Sequence, residues 1–467
     1  MTLRASSPSP RRGEFVTRRL NGGLNYGFTQ GLTASELRDG GDFDISESGA
    51  IGSRRALKPF TTAALPRHVK SSFAWQDKAR HEHMFIVMDD GEILVATDGA
   101  TSFGTSVFGN MTDGNSRCTP HFWSAGRWLY VSDGYRVLRW GGIGYPSFDV
   151  RTTVFLKPTT ATPVAEDSGI PPNCAAVTFR DMAFIANTLV YDEDNDAVLW
   201  SLPVAEQPDG TPLEHVLTGQ EDYYEDQRIT FIAGAQSDYI NKLIAAGPAL
   251  YAFKRHSIHG LSVTATQTLA SDITTDLGLA GPEAVAVNGS DVWFFDEHQG
   301  LHVMSGNSNP IKVFNPIYPL LDCARITRPW LVAVGVDGDR VFVSCCLDND
   351  EGARNNVTFV LNTKLNATSK GGAWSRWDVG FSSFCHWQPQ DGDSSLVGFT
   401  TQFRDDNASS PIGAVRINEC SESLDDDYGF DTRPIVPWFR TAFFDDGLPT
   451  LTKRWGWAGM TLVGSAR

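Results

Sequence analysis

The chain has 467 residues, 41% of them hydrophobic, and a net charge of -16. That is long enough for one large domain or two to three ordinary ones, and too apolar for a disordered chain. The first twenty residues oppose the general charge, with Arg4, Arg11, Arg12, Arg18 and Arg19 against Glu14, so the remainder carries about -20. Such a body repels phosphates, which argues against a sequence-specific grip on DNA but not against a surface that DNA slides past.

Glycine at 44, phenylalanine at 28 and tryptophan at 13, with few apolar runs at helical spacing, favour an all-β chain with many turns. The seven cysteines are odd in number and include no C-x-x-C pair, and Cys345 and Cys346 adjoin in an apolar run. Buried, reduced thiols and assembly in a cytoplasm are expected, rather than a disulfide framework. No secretory signal and no run of about eighteen apolar residues is present, so no export or membrane-spanning segment is expected.

In chain order, residues 1–20, rich in Pro, Ser and Arg, read as a flexible basic arm. Residues 21–64 read as an extended N-terminal segment with the first strands. Within it "ELRDGGDFDISESGAIGSRR", from Glu36, predicts a turn at Asp39–Gly41, another at Ser46–Gly49 and an apolar strand from Ile51. Its carboxylates read as a polar lead-in to that strand rather than as ligands.

Residues 65–420 repeat one unit: a short apolar strand, a polar turn with Gly, Asp or Asn, and a second apolar strand. It starts at Met84, Trp128, Met182, Leu250, Val292, Val341 and Leu396, at intervals of about 50 residues, the length of a four-stranded blade with its insertions. Turns such as "DDG" and "SDG" use glycine for the positive φ a tight hairpin needs. Further strands precede two hairpins, in "EAVAVNGSD" before Val292 and "WLVAVGVDGD" before Val341. These features predict an all-β fold, a β-propeller of six or seven blades, whose sheets leave only short edges exposed. A pair of β-sandwiches would explain closely spaced turns but not the longer period. Residues 421–467 read as an acidic linker ("CSESLDDDYGFD", from Cys420) and a C-terminal β-hairpin around "DDGLP" that either closes the ring or packs on a neighbouring subunit.

Motifs for chemistry are scarce. "GTSVFG" from Gly104 lacks the spacing of a nucleophile elbow, and "GGLNYG" from Gly22 is not a phosphate-cradling G-x-G-x-x-G. His81 and His83 would face one side of a strand, but no third metal ligand is near in sequence, so exposed histidines are expected. "DEHQG" from Asp296 reads as turn chemistry. "SDGYRVLRW" from Ser132 has letters of the box found in sialoside-cleaving propellers at the wrong offsets. "DNDEG" from Asp348 and "DEDND" from Asp192 cluster oxygens but lack a calcium loop's spacing, so solvated turns are expected. Trp374 and Trp377 read as blade core before they read as a sugar-stacking or subunit surface. Paired carboxylates for glycoside cleavage stay open among 55 acidic residues. No catalytic, cofactor-binding or metal residue is assigned, and no cofactor.

Three stretches carry a resemblance. "LNGGLN" followed by "ELRDGGDFDISESGAIGSRRAL" matches an opening Gly-Gly-Leu-Asn element, an acidic segment and a G-x-(I/L)-x-x-R strand. Lys254, Ile258, Gly278, Pro282, Val285, Phe295, Gly300 and Leu301 match a second outline, and "FFDDGLPTLTKRW" from Phe443 matches a closing hairpin. In these the chain resembles the tail nozzle, or tail-hub, proteins of short-tailed bacteriophages, departing from them at Asp44, where asparagine is usual, and at "RRALKPF". The resemblance implies a non-catalytic virion part, assembled in the host cytoplasm and located in the tail. It implies a homo-oligomeric ring, read as six copies, that meets portal-adaptor and tail fibre proteins and gives non-specific passage to genomic DNA during ejection. Such rings arise from heterologous contacts that close by rotation. The alternative is a carbohydrate-binding or carbohydrate-cleaving propeller, since fold does not fix function.

Overall fold

The computed structural model describes residues 23–24, 36–45, 51–54, 56–77, 79–100, 102–111, 118–125, 128–143, 148–149, 172–188, 197–200, 229–232, 238–264, 268–306, 308–313, 326–347, 354–365, 373–388, 394–403, 412–421, 425–427, 432–435 and 437–441. These residues build a β-propeller of seven blades, each a four-stranded antiparallel sheet. Blades 1 to 6 span residues 69–110, 121–149, 175–231, 240–274, 285–312 and 333–377, and blade 7 joins 379–421 to the distant strand Ala56–Pro59. The only helical element among the described residues is a 3-10 turn, Pro329–Leu331, and no described helix is long and apolar enough to cross a membrane.

Each of the seven hairpins expected from the sequence forms the second and third strands of one blade. These strands are covered by a neighbouring blade on either side, so they read as continuous apolar runs rather than alternating ones. Glu82–Met88, Trp128–Ser132 and Met182–Ala186 are buried at every position. Aromatic rings join the blades: Phe85 of blade 1 lies 5.5 Å from Phe122 of blade 2, and Phe253 of blade 4 meets Phe294 of blade 5 edge-on at 5.4 Å. Full burial of one such side chain stabilises by about 1.5–3 kcal/mol.

The first strand of each blade lines the central tunnel. The end at which these strands begin, the upper face, also carries the connections between blades and the turns between second and third strands. The lower face carries the turns after the first strands, where tight hairpins use Gly247, Gly289 and Gly338 at φ of 55°, 63° and 55°.

Ring closure departs from the sequence reading. The outer strand of blade 7 is Ala56–Pro59, paired with Ala414–Ser421, so the ring begins at Ala56 rather than at residue 65. Asp39, Gly40 and Gly41 belong to a strand, Glu36–Gly41, rather than a turn. That strand pairs antiparallel with Trp438–Thr441 and parallel with Gly23–Leu24. The turn comes one residue later, at Asp42 with φ 50°. Phe43–Ile45 and Ile51–Ser53 form the next hairpin, and the expected turn at Ser46–Gly49 lies outside the described residues. The acidic linker contains a strand, Asp425–Asp427, paired with Thr432–Pro434. The basic arm of residues 1–20 and the C-terminal hairpin from Phe443 lie outside the described residues.

Arg54 and Asp426 fasten this closure. The buried Arg54 guanidinium donates to both Asp426 oxygens at 2.7 and 2.5 Å and to Asp42 Oδ1 at 2.8 Å, and it lies over the Trp377 ring at 5.5 Å. The Leu57 N–H also donates to Asp426, at 3.0 Å. A bidentate pair with further hydrogen bonds offsets the cost of desolvating both charges. The acidic opening segment is thus pinned by arginines, with Asp44 held by Arg340 at 2.9 Å.

Candidate functional site

The upper mouth of the tunnel holds a cavity of about 510 Å³ at the starts of blades 1 to 5. Lys70, His121, Lys242 and Glu283 give it charge or polarity, and Cys118 and Cys174 also line it. A second cavity of about 400 Å³ continues along the first strands and shares Phe122, Ala176 and Lys242 with the first. Small residues such as Ser71, Ala176 and Ala286 leave this space open, because a propeller's first strands converge on the axis.

The polar groups here are tied to one another. Glu283, at the entry to blade 5, accepts the Ser383 hydroxyl of blade 7 at 2.7 Å, and Ser383 meets Ser72 of blade 1 at 2.6 Å. Burial raises the Glu283 carboxyl above its usual range, partly offset by the Lys242 ammonium and the Ser383 bond. His121 bonds Asn173 Oδ1 at 2.8 Å, and burial pushes its imidazole down to about 4, so it is neutral near pH 7. Burial, aided by Glu283 and Glu82, pushes the Cys385 thiol up to about 12, so it stays protonated and a weak nucleophile.

The lower face gathers the histidines of "HEH". His81 Nδ1 and His83 Nε2 each lie 3.3 Å from Asp77 Oδ2, a third polar partner four residues upstream of His81. Contrary to the expectation of two exposed histidines, His83 is fully buried and stacks on Trp75 at 5.6 Å. Burial holds the His83 imidazole below its usual range despite Asp77. Burial also acts to raise the Asp77 carboxyl, but the His81 N–H and the His83 and His81 rings bring it below the ordinary value. Asp77 packs so closely on Gly142 (φ 102°) that a Cβ there would lie 2.8 Å away. This is a packed corner with its hydrogen bonds made.

The remaining sequence candidates fall as follows. Trp374 and Trp377 are buried in the core, 0% and 1% exposed, which removes them as a sugar platform. Asp296 is turn chemistry: its Oδ1 accepts the His298 and Gln299 N–H groups at 2.8 and 2.7 Å, and its Oδ2 accepts Gly278 N–H at 2.9 Å. Asp133 of "SDGYR" does the same for Tyr135 and Arg136. The Asp192 and Asp348 clusters lie outside the described residues. Cys345 and Cys346 are buried, and none of the five described cysteines is in a disulfide. The matched positions from Lys254 to Leu301 lie in blades 4 and 5 and their connection, where Gly278 packs so tightly on the Arg255 carbonyl that a Cβ would lie 2.0 Å from its oxygen.

One cluster has no counterpart in the sequence reading. On the upper face, His256 of blade 4 and Glu297 and His298 of blade 5 bring their ligand atoms within 4.8 Å of one another. Each histidine is visible in its own turn, in "KRHSIHG" and "DEHQG", but only the packing of adjacent blades pairs them.

No protein-family model matches the chain, and no curated protein is similar to it in sequence. Solved structures are similar over most of its length. One is BBS1N in complex with ARL6DN, with a TM-score of 0.44 and 10% identity, covering 78% of this chain and 96% of that one. Another is the extracellular domain of the putative one component system BT4673 from B. thetaiotaomicron, with a TM-score of 0.38 and 10% identity, covering 81% of this chain and 45% of that one. A third is YCF48 bound to D1 peptide, with a TM-score of 0.39 and 10% identity, covering 86% and 98%. The chain thus spans under half the length of the second of these, and at such identities the likeness concerns chain path and carries nothing about ligands or partners.

Proposed function

We propose that this propeller is a structural, non-catalytic part of a phage tail, a nozzle or hub subunit that assembles into a ring around the exiting genome. The observation that carries this reading is the use made of the opening stretch. The stretch that resembles the nozzle family, 36–57, runs through its departing "RRALKPF" into the ring-closing strand Ala56–Pro59, and supplies Arg54 and Asp42 of the clamp, whose other carboxylate is Asp426. Their role is architectural, as the resemblance implies.

The recesses within one propeller, of about 510 and 400 Å³, hold far less than a duplex, one turn of which is about 34 Å long. DNA would therefore pass along an axis between several copies, read as six, where an acidic wall keeps phosphates from adhering. Portal-adaptor and tail fibre proteins would be the neighbours in a virion assembled in the host cytoplasm. The competing carbohydrate reading loses its aromatic platform, since Trp374 and Trp377 are buried.

Negative-stain imaging of the purified full chain, over a concentration series, tests the proposal. Closed rings with a central pore wider than a duplex are expected. Monomers at every concentration, together with a chain absent from purified phage particles, would overturn it.

A further inference from the structure

We infer that His256, Glu297 and His298 form a binding site for one first-row divalent transition ion of the zinc type, clipping blade 4 to blade 5 on the upper face. The donor set is two imidazole nitrogens and one carboxylate oxygen, which suits zinc, cobalt or nickel and not the all-oxygen preference of calcium or magnesium. His298 Nε2 lies 3.1 Å and His256 Nδ1 4.0 Å from Glu297 Oε1. An ion about 2.0–2.2 Å from each donor requires donors roughly this far apart, and a small rotation of the exposed His256 ring completes the approach. The two rings already lie parallel, 7° apart in plane with centroids at 6.2 Å.

The site is braced from behind. Arg255 donates to Glu297 Oε2 at 2.8 and 3.1 Å, which turns the other oxygen toward both imidazoles. Outer partners of this kind orient metal-binding carboxylates. Each ligand-bearing turn is also fixed by a buried aspartate. Asp238 accepts the Arg255 and His256 N–H groups at 2.8 and 3.2 Å, and Asp296 accepts those of His298 and Gln299. The donors are therefore positioned by backbone that does not depend on the ion. Both imidazoles are exposed, which leaves the remaining coordination positions to water.

The test uses the full chain without an affinity tag, stripped with a chelator and titrated with Co²⁺ by absorbance and Zn²⁺ by calorimetry. One site per chain is expected, with visible cobalt bands of low-coordinate nitrogen and oxygen ligation. His256→Ala and His298→Ala should each weaken binding by at least about tenfold, the lower bound for loss of even an outer-shell partner. Both side chains are exposed, so circular dichroism should be unchanged, and His386→Ala, an exposed histidine of blade 7, should bind like the parent chain. No saturable binding at one ion per chain, or binding that both substitutions leave intact, would overturn the inference.

Discussion

The closure of the ring and the junction between blades 4 and 5 both join sheets, but by opposite means. The junction is covalently continuous, and its connecting segment bonds to both blades through the backbone, from Leu279 N–H to the Lys254 carbonyl at 2.9 Å and from Ala280 N–H to the Phe295 carbonyl at 3.0 Å. Its ion pair reaches the surface at one end, with the Arg255 side chain 55% exposed and Glu297 7%. The closure joins strands from far apart in the chain, and there the charges are inside: the Arg54 and Asp426 side chains are 3% and 2% exposed. Where chain connectivity already supplies registry, ion pairs can remain at the surface. Where it does not, a buried pair ties a residue just before the closing strand to the segment after its partner strand, and parting the two would cost each charge its bidentate partner in a dry interior.

The largest expected effect follows from that difference. Asp426→Ala removes two bonds from the buried Arg54 guanidinium, leaving it Asp42, and takes the acceptor from the Leu57 N–H, and should cost about 3 kcal/mol in urea or thermal unfolding. A loss below about 1 kcal/mol would mean that strand pairing and the burial of Leu57 close the ring without the clamp.

A second test concerns the other side of the closure, where blade 7 meets blade 1. Burial, with Asp98 adding to it, pushes the Glu82 carboxyl up to about 7 from an ordinary value of 4.5. Between those two pH values the folded chain holds a proton that the unfolded chain has released. Stability therefore falls as pH rises through that window, and the deficit is complete above pH 7. Glu82→Gln should flatten this part of the profile and raise stability at pH 8 by up to about 3 kcal/mol, with little change at pH 4. A variant whose gain is equal at both pH values would show that packing, not ionisation, is responsible.

The contrast also explains what could be read from the sequence. Blade hairpins were legible because each is local: "SDGYR" and "DEHQG" encode an aspartate that accepts the N–H groups two and three residues on. The closing strand was not, since "ALKP" is too short to signal by itself and its partner is Ala414–Ser421. Asp426 looked like one of a run of solvated acids, and only its distant arginine makes it a buried group. His83 was misjudged for the same reason, since the Trp140 that covers it belongs to the next blade, at 5.0 Å. Local turn chemistry is written in adjacent letters, whereas partners that meet through the ring leave no common pattern.

The smallest expected effect is at the Arg255–Glu297 pair, whose guanidinium is exposed. Arg255→Ala removes two bonds to Glu297, but the carboxylate keeps His298 Nε2 at 3.1 Å, and the turns on either side stay fixed by Asp238 and Asp296. An ion pair with one partner this exposed is screened and gains little over hydration, so the cost should stay below about 1 kcal/mol. Unfolding is best measured with a chelator present, so that no bound ion adds its own stabilisation. A loss approaching that of Asp426→Ala would break the comparison. It would mean that Glu297 depends on Arg255 as Asp426 depends on Arg54, and that exposure of the guanidinium does not protect the carboxylate from being left alone in the protein.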